Sequence, residues 1–198
     1  MENLEFGDIM HSSQAVVPQT IIQLSNKVLA CVLSIIIGVG VLSLLAQLKI
    51  VLPWTPVPIT GQTFGVALLA LLWGSRLSLA TFMTYLTIGF LGAPIFAGGL
   101  SGLLIGPTFG YLVGMLLASF VVGRLSDKGW SKSFPKALGA AYVGSTIIFS
   151  CGVLGLALFL PSEKLFLAGV APFLLGDLIK NLLAAYSVSK ISKEAYSL

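Results

Sequence analysis

Asp177 and Lys180 stand three residues apart inside a mostly apolar run near the C-terminus, 171–186. At that spacing they share one face of a helix. Within a membrane span an unpaired charge costs several kcal/mol, so such residues pair with one another or face a polar cavity. Two chemistries fit. The pair either locks its helix into a bundle as an internal ion pair, or it reads a ligand that carries both donors and acceptors. The functional bias of intramembrane charge favours the ligand. Asn181, four residues after Asp177, adds a donor and an acceptor to the same face. A proton relay is disfavoured, because no second intramembrane carboxylate or histidine is there to hand protons along.

The surroundings of that pair decide which elements must position it. The chain is 57% hydrophobic and 9% charged, with a mean hydropathy of +1.01. No charged residue falls between positions 50 and 75 or between 77 and 123. One span needs about 20 apolar residues, so the second of these runs must turn back on itself. Long apolar runs without short alternating strands exclude a barrel. The expected fold is all-α: a polytopic protein of the cell (inner) membrane with six transmembrane helices, at 27–48, 58–74, 77–92, 107–123, 136–160 and 168–189. Its domains are read as a polar N-terminal tail over 1–26, a membrane domain over 27–190 and a C-terminal tail over 191–198. The N-terminal tail carries Glu2, Glu5, Asp8 and His11 and has no signal-peptide pattern.

Lysines and arginines punctuate the gaps between spans. Eight lie on one side (Lys27, Arg76, Arg124, Lys128, Lys132, Lys136, Lys190 and Lys193) and three on the other or within the membrane (Lys49, Lys164 and Lys180). Both termini are therefore expected in the cytoplasm. The proline- and glycine-rich loops 51–58 and 92–107 then face outward, on the same side as the outer half of the last span. The net charge of +4 does not point to nucleic acid, because no basic cluster is interleaved with aromatics. Cys31 and Cys151 lie in apolar segments and are read as free thiols.

Several residues around the outer loops are candidates for a site. The second and fourth spans open on related phrases, Gly61-Gln-Thr-Phe-Gly65 and Gly106-Pro-Thr-Phe-Gly110. Thr63 or Thr108 is placed to cap its helix, and partly positive helix starts suit an anionic group. Gln62 either reads a neutral hydrogen-bonding ligand or bonds a neighbouring helix. Among the aromatics Trp54, Tyr85, Phe96, Phe109 and Tyr111, the two tyrosines are the best pocket candidates, because a buried phenol needs a partner. Ala30, Ser34 and Gly38 form a small-residue stripe suited to close helix contact, either within the bundle or on a partner. Walker loops, metal-binding clusters and catalytic triads are missing, so no enzyme, metal or cofactor is expected and any uphill transport draws its energy elsewhere.

Four phrases in order carry a resemblance: Val57-Pro-Ile-Thr-Gly-Gln-Thr63, Gly92-Ala-Pro-Ile-Phe-Ala-Gly-Gly99, Gly106-Pro-Thr-Phe-Gly-Tyr111 and Gly176-Asp-Leu-Ile-Lys180. Together they resemble the BioY family, the biotin-specific S components of energy-coupling factor (ECF) transporters. The resemblance runs from about Lys27 to Ser189. It implies a six-helix subunit that captures biotin from the outer face. It also implies a scaffold transmembrane subunit and two ATPase subunits as partners, besides membrane lipid. It assigns biotin contacts to Asp177 and Lys180. It assigns the pocket lid to the two outer stretches that hold Phe96, Gly98 and Gly99, and Thr108 and Tyr111. It also implies scaffold docking on Ala30, Ser34 and Gly38, although the family's Ala-x-x-x-Ala pattern is matched here by Ala, Ser and Gly. The stretch Leu103-Leu-Ile105 offers no charged partner for a carboxylate, and helix N-termini are expected to take that role. The rival readings are an S component for another small vitamin, an ion-coupled secondary carrier, and a ligand-free structural protein.

Overall fold

The computed structural model of the chain describes residues 13–22, 26–102 and 105–196. Glu2, Glu5, Asp8 and His11 of the tail, and Leu103 and Leu104, lie outside the described residues. The helices are α1 (Val16–Ile22), α2 (Lys27–Gln47), α3 (Gln62–Phe90), α4 (Phe109–Asp127), α5 (Phe134–Leu156), α6 (Ser162–Gly169) and α7 (Leu174–Tyr196). A two-stranded antiparallel ladder, β1 (Lys49–Ile50) with β2 (Ile59–Thr60), closes the loop between α2 and α3, and its register pairs Lys49 with Thr60.

Five helical stretches among the described residues are long and apolar enough to cross a membrane: Lys27–Gln47, Gln62–Phe90, Phe109–Asp127, Phe134–Leu156 and Ser162–Ala195. The expected second and third spans fall together in α3, which is not one rod. Gly74 sits at φ 73° and ψ −179°, outside the helical region, and divides α3 into arms 62–73 and 75–90. The amide of Gln62 donates to the hydroxyl of Tyr85 at 2.9 Å. Along a continuous helix those residues would stand roughly 35 Å apart. The arms therefore double back side by side, and the turn coincides with the gap that Arg76 marks in the sequence. The last expected span, 168–189, falls within the stretch Ser162–Ala195, in which a 3-10 turn over Ala171–Phe173, containing Pro172, separates α6 from α7.

The turn at Gly74 is held from one neighbour. Asp127, at the end of α4, accepts from the backbone N–H of Ser75 at 3.1 Å and from its hydroxyl at 2.5 Å, which satisfies a free donor at the start of the second arm. The other carboxylate oxygen accepts from the Ser13 hydroxyl at 2.6 Å, and the backbone carbonyl of Asp127 accepts from the N–H of Gln14 at 3.0 Å. These bonds pin the segment before α1, whose Val16 and Ile21 are buried. Helix α3 packs against α2, α4 and α7, and α5 lies between α4 and α7. The core runs through Leu42, Val66, Trp73, Phe82, Tyr85, Leu112, Met115, Ile148 and Leu156. Both cysteines are free thiols.

Two expectations at the helix surfaces need correction. Neither threonine caps its helix: α3 is preceded by Gly61 and α4 by Thr108, and neither position makes a side-chain capping bond. Gly38 is not open for partner docking. It is buried, and a methyl group there would collide with the Trp73 ring and with Thr81. Ala30 is partly buried against the core, and the Ser34 hydroxyl donates back to the Ala30 carbonyl at 2.8 Å. The face of α2 turned outward instead carries Leu29, Leu33, Ile36, Ile37 and Leu44, beside Gly40, which has open space around it.

Gly38→Leu should therefore lower the stability of the isolated chain, by about 1–3 kcal/mol for overpacking. Gly40→Leu should leave it unchanged. Thermal unfolding of the two variants in detergent checks this pair of outcomes.

Candidate functional site

The loop 51–58, the β-ladder, residues 96–100 and 107–108 and helices α3, α4, α5 and α7 line a cavity of about 300 Å³. That is the lower end of the range for small-molecule pockets. Its apolar wall comes from Leu112 and Met115 of α4, Ile148 and Phe149 of α5, and Phe173 of the 3-10 turn. Its polar side comes from Thr60, Gln62 and Thr63 around the start of α3, Thr108 and Tyr111 at the start of α4, and Asp177 and Lys180 of α7. Phe96, Ala97 and Leu100 of the 92–102 segment also line it, with Lys49 and Val51.

Asp177 and Lys180 both line this cavity but form no ion pair with each other; every polar contact each makes among the described residues goes elsewhere. One carboxylate oxygen of Asp177 accepts from the Ser145 hydroxyl at 2.7 Å, the other from the Asn181 amide at 2.9 Å. The same amide also donates to Ser145 at 2.9 Å, which closes a triangle across α5 and α7. Lys180 donates to the carbonyl of Thr60 at 2.7 Å and to the Thr63 hydroxyl at 3.3 Å. A carboxylate has about four lone-pair sites and an ammonium three protons. Each group thus retains capacity for a ligand: Asp177 as acceptor, Lys180 as donor.

Gln62 is buried and clamped by neighbours. Its carbonyl oxygen accepts from the Thr60 hydroxyl at 3.1 Å, and its NH₂ meets Tyr85. Tyr85 is fully buried and donates to the Ile95 carbonyl at 3.0 Å, with its ring against Phe82 and edge-on to Phe96. Its phenol has its partner, but one layer behind the cavity: it orients Gln62 and fastens the 92–102 segment. Asn181 likewise stands behind Asp177. Tyr111 reaches across to the Gly169 carbonyl at 2.7 Å and ties α4 to the end of α6, while its ring lines the cavity beside Phe173. Gly98 and Gly99 are exposed in the outer segment and do not line the cavity. Of the expected site residues, the fold brings Asp177, Lys180, Gln62, Phe96, Thr108 and Tyr111 to one space.

Three contributors escaped the sequence reading. Ser145 gave no signal beyond being a small hydroxyl in an apolar helix. The Thr60 carbonyl is a backbone group. Lys49 was counted as an orientation signal.

Residues 17–196 match the BioY family. The biotin transporter BioY of Thermotoga maritima is 37% identical over 145 residues, which cover 72% of this chain and 85% of that protein. The biotin transporter BioY of Rhizobium etli is 32% identical over 163 residues, 77% of this chain and 84% of the relative. The fold is similar to that of a crystallised S-component for biotin from an ECF-type ABC transporter, with a TM-score of 0.78 at 22% identity over 86% of this chain and 95% of the other. Matched over residues 17–196, nearly its whole described length, this chain belongs to the BioY family.

Proposed function

We propose that the protein is the biotin-capturing S component of an ECF-type uptake transporter. The observation that carries this reading is the separation of Asp177 from Lys180. The two charges share one cavity, each anchored to a different element and each with spare hydrogen-bonding capacity toward the space between the helices. A cyclic urea presents N–H donors and a carbonyl acceptor together, so a carboxylate acceptor and an ammonium donor read it as a set. The remaining biotin surface, a thioether ring and an alkyl chain, suits the Met115, Ile148, Phe149 and Phe173 wall. Gln62, Phe96, Thr108 and Tyr111 complete the proposed contacts, with Tyr85 and Asn181 as positioning residues behind them. Gly98 and Gly99 belong to the segment that closes over the ligand.

In the membrane, we assign residues 27–190 to the transmembrane domain, with six crossings once the two arms of α3 are counted separately. The lysine and arginine bias supports cytoplasmic termini, so the cavity opens outward. The chain itself captures the vitamin and neither binds nor hydrolyses nucleotide; energy comes from a separate scaffold subunit and two ATPase subunits. Helix α2 provides the scaffold contact, through its outward apolar face and with Gly38 excluded.

Binding of biotin to the purified chain, without any other subunit, is the first test. Ligand at a hundredfold over Kd should raise stability by about 2.7 kcal/mol, read as a shift in melting temperature. A panel of thiamine, riboflavin and biotin distinguishes the vitamins, and a shift with thiamine or riboflavin but not biotin would replace the assignment.

Asp177→Asn and Lys180→Met should each weaken biotin binding by roughly tenfold to a few hundredfold, since a charged hydrogen bond contributes about 1.5–3 kcal/mol. Because each charge is hydrogen-bonded to a different element and has its own share in the ligand, the double variant should bind worse than either single one. Equilibrium binding of tritiated biotin measures all three, and recovery in the double variant would show that the pair serves helix packing.

Ser145→Ala removes one donor from the Asp177 carboxylate without touching the apolar wall. It should weaken biotin binding by about threefold to tenfold and leave the stability of the free protein within about 1 kcal/mol of the parent's, read by thermal unfolding.

A further inference from the structure

We infer that Lys49 is the partner of the ligand's carboxylate, and so the residue that selects a free acid over its neutral derivatives. This rests on the cavity being a biotin site. Lys49 belongs to β1 and is paired with Thr60 of β2. Residues alternate between the faces of a strand, so Lys49 and Thr60 point to one side and Ile50 and Ile59 to the other. The cavity lining follows that alternation: it includes Lys49 and Thr60 and excludes both isoleucines. A slip of one residue in this short ladder would turn the lysine away from the cavity.

The electrostatics of the lining point the same way. Its charged residues are Lys49, Asp177 and Lys180. Asp177 is buried and repels an anion; Lys180 already gives two of its protons to Thr60 and Thr63. Lys49 is exposed at the outer edge, and its ammonium makes no hydrogen bond or ion pair among the described residues. Room for it comes from Gly98, whose φ is +73°; a methyl group there would stand 2.8 Å from the Lys49 nitrogen. A ligand with its urea at the buried end between Asp177 and Lys180 therefore places its flexible acidic end toward Lys49. The expectation that helix N-termini alone hold the carboxylate gives way to a point charge on the ladder, where the 92–102 segment meets it.

The test compares biotin with biotinamide, its neutral carboxamide, on the full chain in detergent by titration calorimetry. The unmodified protein should bind biotin roughly tenfold more tightly than biotinamide, with the difference shrinking as salt rises because the pair lies at a solvated edge. Lys49→Met should bind the two ligands alike and lose the salt dependence, with biotinamide affinity unchanged; Lys49→Arg should restore the preference. If Lys49→Met keeps the preference for biotin, the carboxylate is held elsewhere, as at the start of α4, and the inference is wrong while the biotin assignment stands. Equal binding of both ligands by the unmodified protein overturns the inference in the same way. No binding of either ligand would overturn the biotin reading and this one with it.

Discussion

The hydrogen bond from Lys180 to the carbonyl of Thr60 is the contact on which the arrangement of the cavity end depends. It joins the last helix to a strand that lies 120 residues earlier in the chain. Thr60 also fixes Gln62 through its hydroxyl and holds Lys49 in register through the ladder. Three polar residues of the cavity, Lys180, Gln62 and Lys49, are thereby referenced to one residue. A backbone carbonyl at membrane depth is costly to leave unsatisfied, and an ammonium is a strong donor for it. The same bond meets the needs of a strand end and of a half-buried charge at once.

A second set of bonds governs the opposite end. Asp127 supplies the acceptor that the start of the arm 75–90 requires, and Ser13 and Gln14 are collected on the same residue. Between the two ends the helices are held by apolar packing and by hydroxyls that bond backbone carbonyls of neighbouring helices, as Ser78 does to Ser119 at 2.8 Å. The Asp177, Ser145 and Asn181 triangle adds a polar tie between the last two long helices within that apolar packing.

The sequence made the helical class and most span edges legible, because charge punctuates the apolar runs and long runs must turn. It also marked the cavity residues that are charged or amidic, since such groups are conspicuous within apolar helices. What remained hidden follows from distance along the chain. Spacing places Asp177 and Lys180 on one face but says nothing of competing partners on α5 and β2, which hold them apart. A ladder of two residues per strand is too short to show alternation, so the direction of Lys49 could not be read. The stripe Ala30, Ser34 and Gly38 was visible as spacing, yet the ring of Trp73 that occupies Gly38 comes from a different helix. Tyr85 needed a partner, and it found one that set it behind the cavity.

The turn at Gly74 bears on how this protein enters a bilayer. Its arms are roughly 18 and 24 Å long at the helical rise, against a hydrocarbon layer of about 30 Å. Neither would be retained as an independent segment during synthesis, and no loop separates them to let the first settle before the second emerges. They partition as one helical hairpin, and the Gln62–Tyr85 bond becomes available when both have entered. Insertion of this region is therefore a single cooperative step that couples the partitioning of two weak segments.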